Sequence, residues 1–251
     1  MNNNIIFPKE FLYADFEHKK ELDSIINSFD DEKNKLTLFE IIGDDDFSKS
    51  QFINELKKRI DIKKNYLFLT SGNIYLKQFS WQPFQELLYN FFKLRKDQNL
   101  REKLLKFTRN FQEDIAMQSI YLSELFSKKE DERKIALNKQ TIFEAFRLFF
   151  LYASKVRKSF IILENIDNFD ELSLELVDYL ARTLKNNDFH FVITRKSRFQ
   201  INIKNIDSVQ IELANLSLQN ASTIMKKIIN GEPSEESLKF IYDNSKGSYF
   251  H

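Results

Sequence analysis

Five short apolar, β-rich runs limit the fold of this chain more than any other feature, and most of them are apolar almost without interruption. They are Leu36–Ile42, Tyr66–Thr70, Ser159–Leu163, Phe189–Thr194 and Val209–Leu213. A strand with one wet face alternates apolar and polar residues, whereas a strand apolar at both parities is buried on both faces. Burial on both faces requires a parallel sheet covered by helices. Helical stripes lie between the runs: Phe52, Ile53, Leu56 and Ile60; then Ile142, Phe146, Phe149, Ala153 and Val156; then Leu174, Val177, Leu180 and Leu184. Strands alternating with helices predict an α/β fold. Between the second and third runs, roughly residues 82–157 read as several helices, with charge-rich breaks near Lys93–Asp97 and Lys128–Lys134. This predicts a helical insertion on one side of the sheet. After the fifth run, Ser217–Ile229 and Ser234–Asn244 read as two helices divided by Asn230-Gly231-Glu232-Pro233. The expected division is an α/β domain over residues 1–214 and a small, partial helical lid over 215–251.

Composition narrows the function. With 251 residues, 42% apolar residues and 26 Phe, the chain can bury a full core. A net charge of +1 gives no field that steers the whole chain to nucleic acid or an anionic membrane. The absence of Cys excludes disulfides, thiol catalysis and Cys-type zinc sites, and three His argue against a histidine metal cluster. The start, MNNNIIFPKEF, lacks the basic and apolar regions of a signal peptide. The most apolar run, FRLFFLYA (146–153), is too short to span a bilayer. The expectation is a cytoplasmic protein with no membrane partner.

The chemistry concentrates in LTLFEIIGDDDFSKS, residues 36–50. A nucleotide-binding loop reads G-x-x-x-x-G-K-[S/T] between a strand and a helix. Here Gly43, Lys49 and Ser50 are in register, Ser48 stands at the second Gly, and Asp44, Asp45 and Asp46 fill the cradle. In a working loop, backbone N–H groups and the positive helix end surround the phosphates. Lys49 would reach the β- and γ-phosphates, and Ser50 would ligate Mg²⁺. Two departures weaken that reading. Ser48 restricts a backbone that Gly would leave free. Each carboxylate also repels a triphosphate, by about 3 kcal/mol for unit charges roughly 6 Å apart at an effective dielectric near ~20, less once screened. A plainer reading makes Asp44–Asp46 the turn and cap acids of a helix N-terminus, with a solvated Lys and Ser beyond. Both readings have the acids replacing an anion at the helix end.

Further blocks follow in order: FEHKKEL (16–22), SWQPFQELL (80–88), SFIILENIDNFDELSLELVDYLAR (159–182), FVITRKSR (191–198), IELANLS (211–217) and NSKGSYF (244–250). With the loop, they make the stretch from about residue 10 to 251 resemble the ATPase module of STAND-type proteins. These are AAA-related signalling ATPases found in MalT-like regulators and at the front of some adenylate cyclases and kinases. The resemblance implies a P-loop NTPase (AAA-like) fold with a parallel five-stranded sheet flanked by helices, in the order 5-1-4-3-2. It implies ATP or ADP with Mg²⁺ as the ligand, held by Gly43, Ser48, Lys49 and Ser50, with the metal on Ser50 and Glu164. It makes Glu164 and Arg195 the catalytic candidates: Glu164 at the metal or as a base, Arg195 toward the γ-phosphate. The position of the family's second acid is Asn165, which cannot take a proton; Asp167 and Asp170 lie nearby. Tyr249 replaces the family's Pro near the end of the module.

Each residue also has a structural alternative. Glu164 could pair with a lysine at the sheet edge, and Arg195 could form a salt bridge. Phe143, Phe146, Phe149 and Phe150 read as core. The basic clusters Lys57–Lys64 and Arg195–Arg198 read as solvated faces. The leading expectation is a degenerate, non-hydrolysing module with weak or lost ATP binding, acting as a binding, scaffold or regulatory domain in bacteria through protein partners, with self-association left open. One alternative is a slow ATP-hydrolysing switch. Another is a DNA-associated AAA protein, disfavoured because no aromatic platform accompanies the basic clusters. STAND modules usually continue into a winged helix, while this chain stops at His251. A fragment and a free-standing module both remain open.

Overall fold

Each of the five apolar runs forms a strand: β1 (Leu36–Ile42), β2 (Tyr66–Ser71), β3 (Ser159–Glu164), β4 (Phe189–Arg195) and β5 (Ser208–Glu212). They make one all-parallel sheet in the order β2-β3-β4-β1-β5, which is the 5-1-4-3-2 order implied by the resemblance. The computed structural model describes residues 18–29, 36–95, 99–109, 120–126, 138–185, 187–201, 203, 206, 208–213 and 217–245. The 128–134 break, Phe16 and Glu17, residues 214–216 of IELANLS, and residues 246–250 with Tyr249 lie outside them.

The helices are α1 (Lys19–Phe29), α2 (Asp46–Arg59), α3 (Gln82–Phe91), α4 (Leu100–Thr108), α5 (Lys139–Val156), α6 (Glu171–Leu184), α7 (Leu218–Ile229) and α8 (Glu235–Ser245). Residues 120–125 are also helical. Successive strand residues point to opposite faces, so continuous apolar strands build two cores. On one face, Phe39, Ile41, Phe160, Ile162, Val192 and Ile211 pack with Leu22, Ile25 and Phe29 of α1 and Phe52, Ile53 and Leu56 of α2. On the other face, Phe68, Ile161, Leu163, Phe189 and Phe191 pack with α3, α4, α5 and α6. The helices between β2 and β3 therefore sit on one side of the sheet. Burying one side chain such as Phe68 or Phe146, both fully covered, is worth roughly 1.5–3 kcal/mol.

Local signals set the helix ends. Asn138 caps α5 by accepting from Thr141 N at 2.9 Å, and Asp170 caps α6 by accepting from Ser173 N at 2.9 Å. Asn230, with φ of 50°, turns the chain between α7 and α8, where Lys226 pairs with Glu232 at 2.8 Å. Two expected core residues differ. Val156 is 47% exposed because α5 ends there, and Val209 is 46% exposed because β5 is an edge strand. Among the described residues, no helix is long and apolar enough to cross a membrane.

Candidate functional site

The register brings the candidate residues to one edge of the sheet. Ile42, the last residue of β1, lies beside Arg195, the last of β4, and Leu163 lies beside Ile193, so Glu164 and Arg195 end adjacent strands. In open parallel sheets, ligands bind outside the carboxyl ends of the strands. Gly43 extends the β1–β4 ladder by donating its N–H to Arg195 O at 3.1 Å. An added Cβ there would lie 3.4 Å from Leu213 Cβ and 3.6 Å from Lys49 Cγ, ordinary contact distances, so the space at Gly43 does not itself demand glycine.

The chain then departs from the sequence pattern. Only Gly43, Asp44 and Asp45 separate β1 from α2. Helix α2 starts at Asp46, so Asp46, Phe47 and Ser48, which would wrap a phosphate, are its first turn. Asp45 is the N-cap, with φ −85° and ψ 112°, and its carboxylate accepts from Ser48 N at 2.9 Å and from the Ser48 hydroxyl. Lys49 N already points to Asp45 O at 3.3 Å. A cradle of inward N–H groups needs left-handed residues within the loop, and none of Asp44–Ser50 has positive φ.

All three carboxylates have partners. Asp44 accepts from Ser197 N at 3.0 Å and from Ser197 Oγ at 2.8 Å, in the loop after β4. Those hydrogen bonds, hydroxyl first, hold its carboxyl below the usual carboxylate range. Asp46 Oδ1 lies 2.9 Å from Lys49 Nζ. Lys49 is 1% exposed, and among the described residues its ammonium has this ion pair and no hydrogen bond. Ser50, the Mg²⁺ candidate, is half-buried in the second turn of α2.

The turn after β3 is ordered differently. Glu164 is half-buried, and its side chain makes no hydrogen bond to a described residue. Burial raises its carboxyl pKa above the usual range, opposed by the charge of Lys57. Asn165 is left-handed, with φ of 51°, and donates its N–H to the buried Thr194 Oγ1 at 2.8 Å. Gly72 is required beside it, since an added Cβ would lie 2.3 Å from Asn165 O. Asp167 accepts from Lys196 N at 3.3 Å, and Asp170, buried, caps α6. Asp167 thus carries one long hydrogen bond, while both oxygens of Asp170 are engaged by Ser173.

Arg195 is not part of a solvated basic face. It is buried, its Nε lies 2.8 Å from Glu40 Oε2, and its Nη1 donates to Phe199 O at 2.7 Å. The sequence reading passed over Glu40; the signal for it was a single carboxylate inside the otherwise apolar run around β1. Of the expected set, Gly43, Ser48, Lys49 and Ser50 cluster at the start of α2, Glu164 stands at the end of β3, and Arg195 is turned into a structural pair. A triphosphate does not fit the loop in this form: the amides it would need are coiled into α2, and carboxylates hold the Ser48 amide and the Lys49 ammonium.

No protein-family model and no curated protein matches the chain. Among solved structures, it is similar to a Signal Transduction ATPase with Numerous Domains (STAND) protein with a tetratricopeptide repeat sensor from Pyrococcus horikoshii, at 15% identity and TM-score 0.47, covering 91% of this chain and 28% of that one. It is also similar to a chain in the structure of Drosophila ORC bound to AT-rich DNA and Cdc6, at 12% identity and TM-score 0.33, covering 77% of this chain and 54% of that one. The chain thus spans well under two thirds of either.

Proposed function

We propose that this chain is a non-hydrolysing module on a P-loop ATPase frame, with weak or lost ATP binding, that acts as a cytoplasmic binding or regulatory domain through protein partners. The observation that carries this reading is the early start of α2, with Lys49 held by Asp46 in place of a phosphate. Asn165 at the position of the catalytic acid supports it, because an amide cannot accept the proton of an attacking water. Protein partners are supported by Ile74, Tyr75 and Phe79, which are 65%, 83% and 54% exposed just beyond the end of β2.

Calorimetric titration with ATP and ADP, with and without Mg²⁺, tests the reading. The expected result is no binding at micromolar nucleotide and no turnover above background. Robust Mg²⁺-dependent hydrolysis abolished by Lys49→Ala would sink it. One observation favours the slow ATPase switch: Glu164, at the end of β3, has an unbonded carboxyl with a raised pKa, which suits a base or a metal ligand. Under that reading ATP and ADP protect α7 and α8 differently from protease, and identical cleavage patterns count against it.

A further inference from the structure

The three carboxylates after β1 engage three different sets of donors. Asp45 takes the amide and hydroxyl of Ser48 at the positive end of α2. Asp46 takes the ammonium of Lys49. Asp44 reaches across the mouth of the edge to the amide and hydroxyl of Ser197. The first two sets are the donors a phosphate chain would use at a helix N-terminus with an adjacent lysine.

Lys49 gives an independent sign that this arrangement replaces a ligand. It is 1% exposed, yet among the described residues its Nζ has no hydrogen bond and one ionic partner, Asp46, which is 62% exposed. A buried ammonium is costly unless its protons are bonded. Here one ion pair to a wet carboxylate stands where three hydrogen bonds are available.

We infer that the loop after β1 is autoinhibited: Asp45 and Asp46, strapped by the Asp44–Ser197 contact, act as an internal anion that competes with a phosphate-bearing ligand for the N-terminus of α2 and for Lys49. The inference rests on the proposed function and adds that the block is competitive and removable. Ligand entry requires the first turn of α2 to open, freeing the amides of residues 46–48, and Asp46 to leave Lys49. The buried Lys49 already stands beside the N-terminal turn of α2 that the ligand would use.

The test compares the full chain with Asp46→Asn, with Asp45→Asn/Asp46→Asn/Ser48→Gly, and with that triple variant carrying Lys49→Ala. Inorganic pyrophosphate and MgATP serve as calorimetric probes, and circular dichroism with thermal melts reports folding. The expected result is no binding to the wild-type chain at micromolar probe, affinity at least about tenfold higher in the triple variant once two like charges are gone, and loss of that gain with Lys49→Ala. A smaller gain in the same direction is expected for Asp46→Asn, which keeps the Asp45 cap and decides the question if the triple variant does not fold. Folded variants that bind no better than wild type overturn the inference and leave the inactive module standing. Micromolar binding with turnover by the wild-type chain overturns both.

Discussion

Among the described residues two cations, Arg195 and Lys49, lie buried at the carboxyl edge of the sheet, and they are held in opposite ways. Arg195 sits in a fitted socket: Nε on Glu40 at 2.8 Å, Nη1 on Phe199 O, and a partner carboxylate whose side chain is 7% exposed. Lys49 is buried more deeply, but among the described residues its one ionic partner is largely in water and its ammonium has no hydrogen bond. The difference separates a satisfied network from an incomplete one. A charge that completes a satisfied network belongs to the fold, whereas a charge left with spare donors marks a position where the fold leaves a group unsatisfied.

Arg195→Met should have the largest effect. It strands Glu40, 6% exposed, without its counter-charge, and breaking a buried pair from one side costs about 3–5 kcal/mol. Urea unfolding should show that loss, and Arg195→Met/Glu40→Leu should recover most of it, because neither charge then remains buried. A loss below about 1 kcal/mol in the single variant would end the contrast with Lys49.

A third buried basic group sharpens the comparison by giving up its charge. His190 in β4 is 1% exposed, stacks on Phe160 with ring centroids 5.2 Å apart, and has no hydrogen bond at either ring nitrogen. Burial, aided by the charge of Lys158, pushes its pKa down to about 3 from an ordinary 6.5. The folded chain therefore refuses a proton that the unfolded chain accepts. The contribution of His190 is fully present above pH 6.5 and is lost as pH falls from there toward 3. The slope from this residue is about 1.4 kcal/mol per pH unit within that window. His190→Phe, which keeps the ring stack, should flatten the urea-measured stability profile between pH 6 and 4 by roughly that slope relative to wild type. Parallel profiles would mean that the imidazole takes up its proton inside the fold.

The sheet was legible because most strands are apolar at both parities: β1 falls on Leu36–Ile42 as read, β2, β3 and β4 each run one residue further, and β5, apolar at one parity only, starts and ends one residue earlier. The edge that gathers Gly43, Lys49, Ser50 and Glu164 was legible too, since strand order and motif spacing fix which loops meet. Two things were hidden for physical reasons. Any of Asp44, Asp45 or Asp46 is a good N-cap, so the sequence does not say where α2 starts, and a one-turn shift turns a phosphate cradle into a helix. The partner of Arg195 lies 155 residues away, so local pattern shows only a carboxylate in an apolar run and an arginine at a strand end.

The smallest effect should come from Lys49→Met, although Lys49 is the more buried of the two cations. Removing its charge leaves Asp46, 62% exposed, in water, so no uncompensated carboxylate is created. Met has similar length and an apolar stem that can fill the same volume, and the unbonded ammonium disappears. The expected change in unfolding free energy is within about 1 kcal/mol of zero, of either sign. What decides the cost of deleting a buried charge here is the solvent exposure of the partner left behind, not the depth of the charge itself. If Lys49→Met instead cost as much as Arg195→Met, the lysine would be a structural post, its missing hydrogen bonds would be supplied within the fold, and the contrast between the two cations would fail.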